Sequence, residues 1–330
     1  MAVWKLIRNF AGRKSMYSVY MNRNSWISLL FLCGLLLQAC GPSQEEQRRL
    51  SEEERLKAWR EDSAALKVAV LPTLDCLPLC VAEAHGMFGR MGADVRLKYY
   101  SAQMDCDTAI VQGRVEGMVT DLVRAERLQK QGTPLEYKTA TGLYWQLVTN
   151  PMARIKQLKQ LDDKMLAMTR FSATHLLADL AVDSAKLQPE RVFYIQLNDL
   201  GVRLSMLQTG TMDALLLPEP QATQARLLKT PVLMDSRKQD LRLGVIAFSQ
   251  QALKDTARQR QVEAFVKAYN MACDTINAHG VAHYRDLLEQ HFGLKSALAD
   301  SLPGDIRYEH AAAPREQDIA KAREWLQKKH

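Results

Sequence analysis

Beyond residue 65 the apolar positions fall into short alternating runs, separated by stretches with helical spacing. Residues 66–71 read as a strand, 77–88 as a helix stopped by Gly89, 93–99 as a second strand, and 108–112 as the end of a helix closed by Gly113. A short strand at 117–120 follows, and Asp121 opens a helix running to about Gln131. Strand, helix, strand, helix with short links predicts a parallel sheet covered on both faces. A second set begins near Tyr144. Its strands fall at 144–150, 165–171, 191–197 and 212–218. Its helices fall at 155–164, at 172–182 behind a Ser172 cap, from Asn198 or Asp199 to Gly210, and from Glu219 to about Leu228. The run "LGVIAFS" at 243–249 is a strand returning toward the first set. The rest is helical, ending in an amphipathic helix from about Arg315. The expected fold is α/β with two lobes, each a mostly parallel sheet covered by helices. Lobe one takes 66–145 plus 240–330, including a C-terminal helical segment, and lobe two takes 146–239. No tandem repeat is visible.

The beginning of the chain follows a different pattern. Residues 26–39, "WISLLFLCGLLLQA", are 14 mostly apolar residues, short of the roughly 20 needed to span a bilayer. Arg23 precedes them, and Leu37-Gln38-Ala39-Cys40 closes them. The segment resembles a bacterial lipoprotein signal peptide with its lipobox. The resemblance implies removal of 1–39, acylation of Cys40, and an envelope protein held at the membrane by lipid. Met21 is an alternative start. Residues 40–65 are a charged tether with i,i+4-compatible charges and too few apolar residues for a core. Processing also changes the charge. The whole chain has 44 basic and 37 acidic side chains, but 1–39 hold five basic and no acidic ones, leaving 39 against 37. The high pI is therefore partly a property of the leader. With no basic patch interleaved with aromatics, nucleic acid is not an expected partner.

Two Asp-Cys pairs, in "TLDCLPLC" and "QMDCDTA", sit where helices begin. Asp75, Cys76, Asp105, Cys106, Asp107 and Asp121 all fall at strand-to-helix turns of the first lobe, so they are expected near its ligand-binding edge. Each Asp reads either as a helix cap or as one of several carboxylates favouring a cationic ligand. Glu219 occupies the matching place in the second lobe. Arg124 either neutralises Asp121 or binds an acid. Adjacent parallel strands lie ~5 Å apart, which allows a Cys76–Cys106 disulfide. The alternatives are free packed thiols, a zinc site, or a catalytic Cys with His175 as base. Cys80 and Cys273 read as core. Phe171, Ser172, Thr174 and His175 open one helix of lobe two, and Asn198 and Asp199 another. Ser172, Asn198 and Asp199 read as caps or ligand contacts, and His175 more readily as a surface or packing residue. Tyr144 and Trp145 lie at the hinge, where their rings either stack on a ligand or pack.

The run "KVAVLPTLDCLPLCVAEAHGMFGRMGADVRL" resembles the opening of type 2 periplasmic substrate-binding proteins, in the branch of sulfonate, nitrate and thiamin-precursor binders. Pro78-Leu79-Cys80-Val81-Ala82 and Gly86-Met87-Phe88 stand in the places of that family's "PLYVA" and "GLF". "IKQLKQLDDKMLAMTRFSATHLL" and "LQTGTMDALLLPEPQATQA" resemble its later motifs, so the similarity covers Leu66 to Ala225. The chain departs at its Asp-Cys pairs, at Cys80 where Tyr is usual, and at Asp163-Lys164, which lacks a Gly. The resemblance implies two lobes joined by two crossing strands, with a small molecule between them for delivery to an ABC importer permease. It implies a monomer with no cofactor, no resident metal and no chemistry of its own. The ligand expected from the carboxylates is a small cationic heterocycle, of the thiamin-precursor kind. The competing classes are an enzyme on the same fold, of pyrimidine-synthesis or menaquinone-pathway type, and a metal-scavenging lipoprotein.

Overall fold

The computed structural model describes residues 44–329, so the leader and Cys40 lie outside the described residues. The chain divides into two compact units, at residues 1–63 and 64–330. What is described of the first is one charged helix, Gln44–Ala64, formed by the run in which acidic and basic residues stand three and four apart. Among the described residues no helix is long and apolar enough to cross a membrane.

The second unit contains two five-stranded sheets. The first comprises β1 (Leu66–Val70), β2 (Val95–Tyr99), β3 (Gly117–Asp121), β4 (Leu135–Ala140) and β10 (Gly244–Ser249), in the order β2-β1-β3-β10-β4. The second comprises β5 (Trp145–Thr149), β6 (Lys164–Met168), β7 (Val192–Gln196), β8 (Ala214–Pro218) and β9 (Val232–Asp235), in the order β7-β6-β8-β5-β9. Four strands of each sheet run in the same direction. The fourth in spatial order, β10 or β5, is antiparallel to both of its neighbours. The inner strands are mostly apolar and buried, β8 (ALLLP) over its whole length, as suits strands covered on both faces. β10 packs so closely that a Cβ at Gly117 would stand 2.5 Å from the Phe248 ring, which only glycine avoids.

The chain crosses between sheets twice. Residues 141–144 lead from β4 into β5, and 236–243 lead from β9 into β10. Trp145 is thus the first residue of the second sheet, paired with Pro218. Strands β4 and β9 have no counterpart in the sequence reading. "LEYKTA" carries two charges in six residues and "VLMD" is only four residues long, so neither shows a period. The helix expected at 155–164 is a single 3-10 turn, Leu158–Leu161, and Asp163 beyond it takes a left-handed φ of 56°. The helix expected at 77–88 is two pieces, Leu77–Ala84 and Met87–Arg90, broken at left-handed Gly86.

The C-terminal helix, Glu316–Lys328, touches both lobes. Arg323 pairs with Glu126 on the Leu122–Lys130 helix at 2.7 Å. Two residues on, Trp325 Nε1 donates to Asp179 at 2.8 Å, and Lys329 Nζ lies 2.8 Å from the same carboxylate on the Ala173–Ser184 helix. Trp325→Ala removes the indole donor and its edge contact with His175. It is expected to raise amide hydrogen exchange at least tenfold over 316–329 and over the first turn of the Ala173–Ser184 helix. Unchanged exchange there would show that the bridge carries no stability.

Candidate functional site

The carboxyl ends of the parallel strands in both sheets face one another, which is where open α/β sheets place ligands. β1 runs into the turn before the 3-10 helix Leu74–Cys76, and β3 into Asp121. β6 runs into Thr169, β7 into Asn198, and β8 into Glu219. Between them lies a nearly closed cleft with a free volume of about 20 Å3, room for about one water, so a solute of ordinary size enters only when the lobes part. Lobe one supplies Thr73, Asp75, Gln103 and Thr120 to its polar wall, and lobe two supplies Thr169, Thr174, Asn198 and Arg203. Leu71, Val119, Leu143, Trp145, Leu200 and Pro218 make it apolar elsewhere. The lobes meet around it. Leu74 N donates to Glu219 O at 3.0 Å, Gln221 Nε2 to Pro72 O at 2.9 Å, and Ala173 N to Asp121 Oδ1 at 3.0 Å.

Only some of the residues singled out from the sequence reach this wall: Asp75, Trp145, Thr174 and Asn198. Asp75 is 3% exposed. Its Oδ2 accepts from Thr141 Oγ1 at 3.0 Å, and its Oδ1 has no hydrogen-bond partner among the described residues. Burial pushes its pKa up to about 6. Asp121 stands just behind the wall. Its Oδ1 accepts from Arg124 N and Ala173 N, so one carboxylate caps the Leu122–Lys130 helix and also holds the N-terminus of the Ala173–Ser184 helix across the cleft. Gln103 Nε2 donates to its Oδ2 at 3.2 Å. Burial raises it too, to about 6, against the pull of Arg124.

The other acids are taken up elsewhere. Asp107 receives Arg124 Nε at 3.2 Å and Nη2 beside it, so this pair neutralises itself. Glu219 is buried against Arg226 at 2.7 Å, with Tyr144 Oη and the Thr223 hydroxyl and amide completing its partners. Asp105 is exposed on the outer side of the Gln103–Val111 helix. The carboxylate cluster expected from the sequence is therefore mostly internal pairing, because each acid lies within reach of a guanidinium or an unfilled helix N-terminus. Tyr144 has Arg237 over its ring at 4.0 Å, which occupies the face a ligand would need. Phe171 adopts a left-handed φ of 53° and lies under Arg127 of the other lobe at 4.8 Å. Ser172 caps its helix through Thr174 N, and Asp199 rather than Asn198 caps the Leu200–Gln208 helix.

The cysteines require a correction. Cys76, Cys80, Cys106 and Cys273 are all free thiols, so the Cys76–Cys106 disulfide is not formed. Cys76 Sγ is turned inward, accepting from Leu71 N at 3.5 Å, and Cys106 lies on the buried face of its helix. Burial raises both thiols well above their ordinary range, which leaves too little thiolate for nucleophilic work. His175 accepts from Phe171 N through Nδ1 and packs against Trp325. Burial lowers its pKa to about 4, so it is a neutral packing residue. Among the described residues no three His, Cys, Asp or Glu side chains come together to hold a metal ion.

Arg203 was not anticipated. It is 1% exposed, yet its Nε and Nη2 donate to Leu197 O, Nη1 to Leu216 O, and Nη2 also to Thr169 Oγ1. Burial brings its pKa down to about 10. One sequence signal pointed to it: Leu200, Arg203, Leu204 and Leu207 share the apolar stripe of their helix.

No family model and no curated protein matches the sequence. Solved structures do match in shape. The ligand-binding component of an ABC-type import system from Staphylococcus aureus, solved with zinc bound, superposes with a TM-score of 0.67 at 16% identity, over 80% of this chain and 92% of that one. The alkanesulfonate-binding protein SsuA from Xanthomonas axonopodis pv. citri, bound to MOPS, gives 0.66 at 16% identity, over 80% and 91%. The nitrate-binding protein NrtA from Synechocystis PCC 6803 gives 0.63 at 13%, over 78% and 74%. With these, the sheet order and the crossing strands show that the chain has the two-lobed fold of the periplasmic binding proteins of ABC importers.

Proposed function

We propose that this protein captures one small solute between its lobes and hands it to an ABC-type importer, without chemical conversion. The observation that carries the reading is the lining of this closed cleft, built equally from both lobes at the ends of their strands. Two crossing segments beside it form a hinge on which the lobes can part and close. The matching structures of ABC-import binding components support the transport role. Trp145 and the apolar wall favour a ring-bearing ligand, consistent with a small heterocycle. The lipobox-like run ending at Cys40 supports anchoring by lipid to the cell envelope, with the charged helix as tether. The protein works as a monomer in this scheme, with the importer permease as its macromolecular partner.

Native mass spectrometry of the chain carrying Cys40→Ser, purified from its own compartment, is the test. The expected result is one organic adduct per chain that leaves on denaturation and is missing in Leu200→Trp, which fills the cavity. An adduct that persists with the cavity filled would place binding elsewhere. Turnover of the bound molecule by the purified protein would replace capture with catalysis.

A further inference from the structure

We infer that the solute is a small monocation whose N–H groups dock on Asp75 Oδ1 and Thr120 Oγ1. This rests on the solute-capture reading and gives its ligand class. Asp75 and Thr120 are 3% and 2% exposed, both line the cavity, and both atoms lack a hydrogen-bond partner among the described residues. A buried polar atom without a partner costs stability, so a pair of them facing one cavity marks where a ligand completes the structure. A carboxylate oxygen only accepts, and a threonine hydroxyl both accepts and donates. The group that satisfies both presents hydrogens.

Most of the features that would welcome an anion are already occupied by the protein. Six helices begin at this end of the sheets; Leu77–Ala84 and Gln103–Val111 have no side-chain cap, Glu219 accepts from Thr223 N in the first turn of Gln221–Leu227, and the other three are capped. Asp121 caps Leu122–Lys130, Ser172 together with Asp121 caps Ala173–Ser184, and Asp199 caps Leu200–Gln208. Arg203 reaches the wall, but each of its three nitrogens is bonded to a carbonyl or to Thr169. Arg124 is engaged by Asp107 and, though its Nη1 has no partner among the described residues, it is not part of the wall. In and directly behind the wall stand two carboxylates, Asp75 and Asp121, against one guanidinium, Arg203, while Asp107 and Arg124 neutralise each other. One positive charge from the ligand balances them, and a second does not. Trp145 and the aliphatic wall accept the apolar body of such a cation, as an amino- or amidinium-bearing ring presents.

The test starts from the Cys40→Ser chain, stripped of any bound molecule by denaturation and refolding under reductant. It is dialysed against a small-molecule extract of bacterial cells, and retained species are sorted by charge and identified by mass. The expected result is depletion of one cation. Its affinity is expected to fall at least tenfold in Asp75→Asn, the loss typical of a charge-assisted hydrogen bond, and a few-fold in Thr120→Val. Depletion of an anion or a neutral solute instead would overturn the ligand class and leave solute capture standing. Depletion of nothing would overturn both. A cation held equally well by folded Asp75→Asn would overturn the role of Asp75.

Discussion

Asp75→Asn is expected to stabilise the ligand-free protein by about 3 kcal/mol at pH 7.5 and to have no such effect below pH 4. The Asp75 carboxyl rises from 3.8 to about 6 on folding because burial disfavours its charged form. Between those values the folded state holds a proton that the unfolded state has lost, so this group's contribution to stability falls as pH rises from 4 to 6 and is level above. At roughly 1.4 kcal/mol per pKa unit, the penalty is about 3 kcal/mol. Asp121 has the same sign in the same window. His175 has the opposite sign: its pKa is lowered to about 4, so its contribution grows as pH rises from 4 to 6.5. The whole-protein profile mixes these groups, and the difference between wild type and Asp75→Asn isolates one. Urea denaturation of both proteins across pH 4 to 8 measures it. A difference that is constant with pH would remove the buried unpaired carboxylate from the account. The variant that gains stability is the one expected to lose its ligand, a common relation where a site is built from strained or unsatisfied groups.

Arg203→Ala is expected to cost about 3–5 kcal/mol, more than a typical buried substitution. The guanidinium ties the turn after β7 (Leu197 O) to β8 (Leu216 O) and to Thr169 after β6. Truncation removes the guanidinium donor from each acceptor, although Leu197 O keeps Thr169 Oγ1 at 3.2 Å; the cost is about 1–3 kcal/mol for each one left without a partner, and a void opens as well. Removing a buried cation offsets part of this, since burial already pulls its pKa down to about 10. Arg203→Met separates the two contributions by refilling the volume without the bonds. Its melting midpoint is expected between those of Arg203→Ala and wild type. A methionine variant as stable as wild type would show that desolvation of the charge cancels the four hydrogen bonds, as in other buried ionic sites.

Much of the element order was readable from local signals. Short apolar runs marked eight strands, and Asp121, Ser172 and Asp199 stood at helix starts, where their side chains do accept a helix N–H. The return of "LGVIAFS" to the first sheet was also legible, and the fold follows from it. These signals are local because a period or a cap involves residues within a turn or a strand of one another. The partners of the charged residues are not local. Asp121 meets Ala173 across 52 positions, and Tyr144 meets Glu219 across 75. Five acids drawn from several turns therefore looked like one acidic site, until folding gave Asp107 to Arg124 and Glu219 to Arg226 and left Asp105 in solvent. Cys76 and Cys106 shared a motif and a turn type, but each is a buried free thiol. Residue types and periods thus determined that the chain forms two α/β lobes with strand ends rich in Asp, Ser and Thr. Only the tertiary structure decided that one carboxylate oxygen, on Asp75, remains without a partner in the cavity, because pairing depends on distances that the order of residues does not contain.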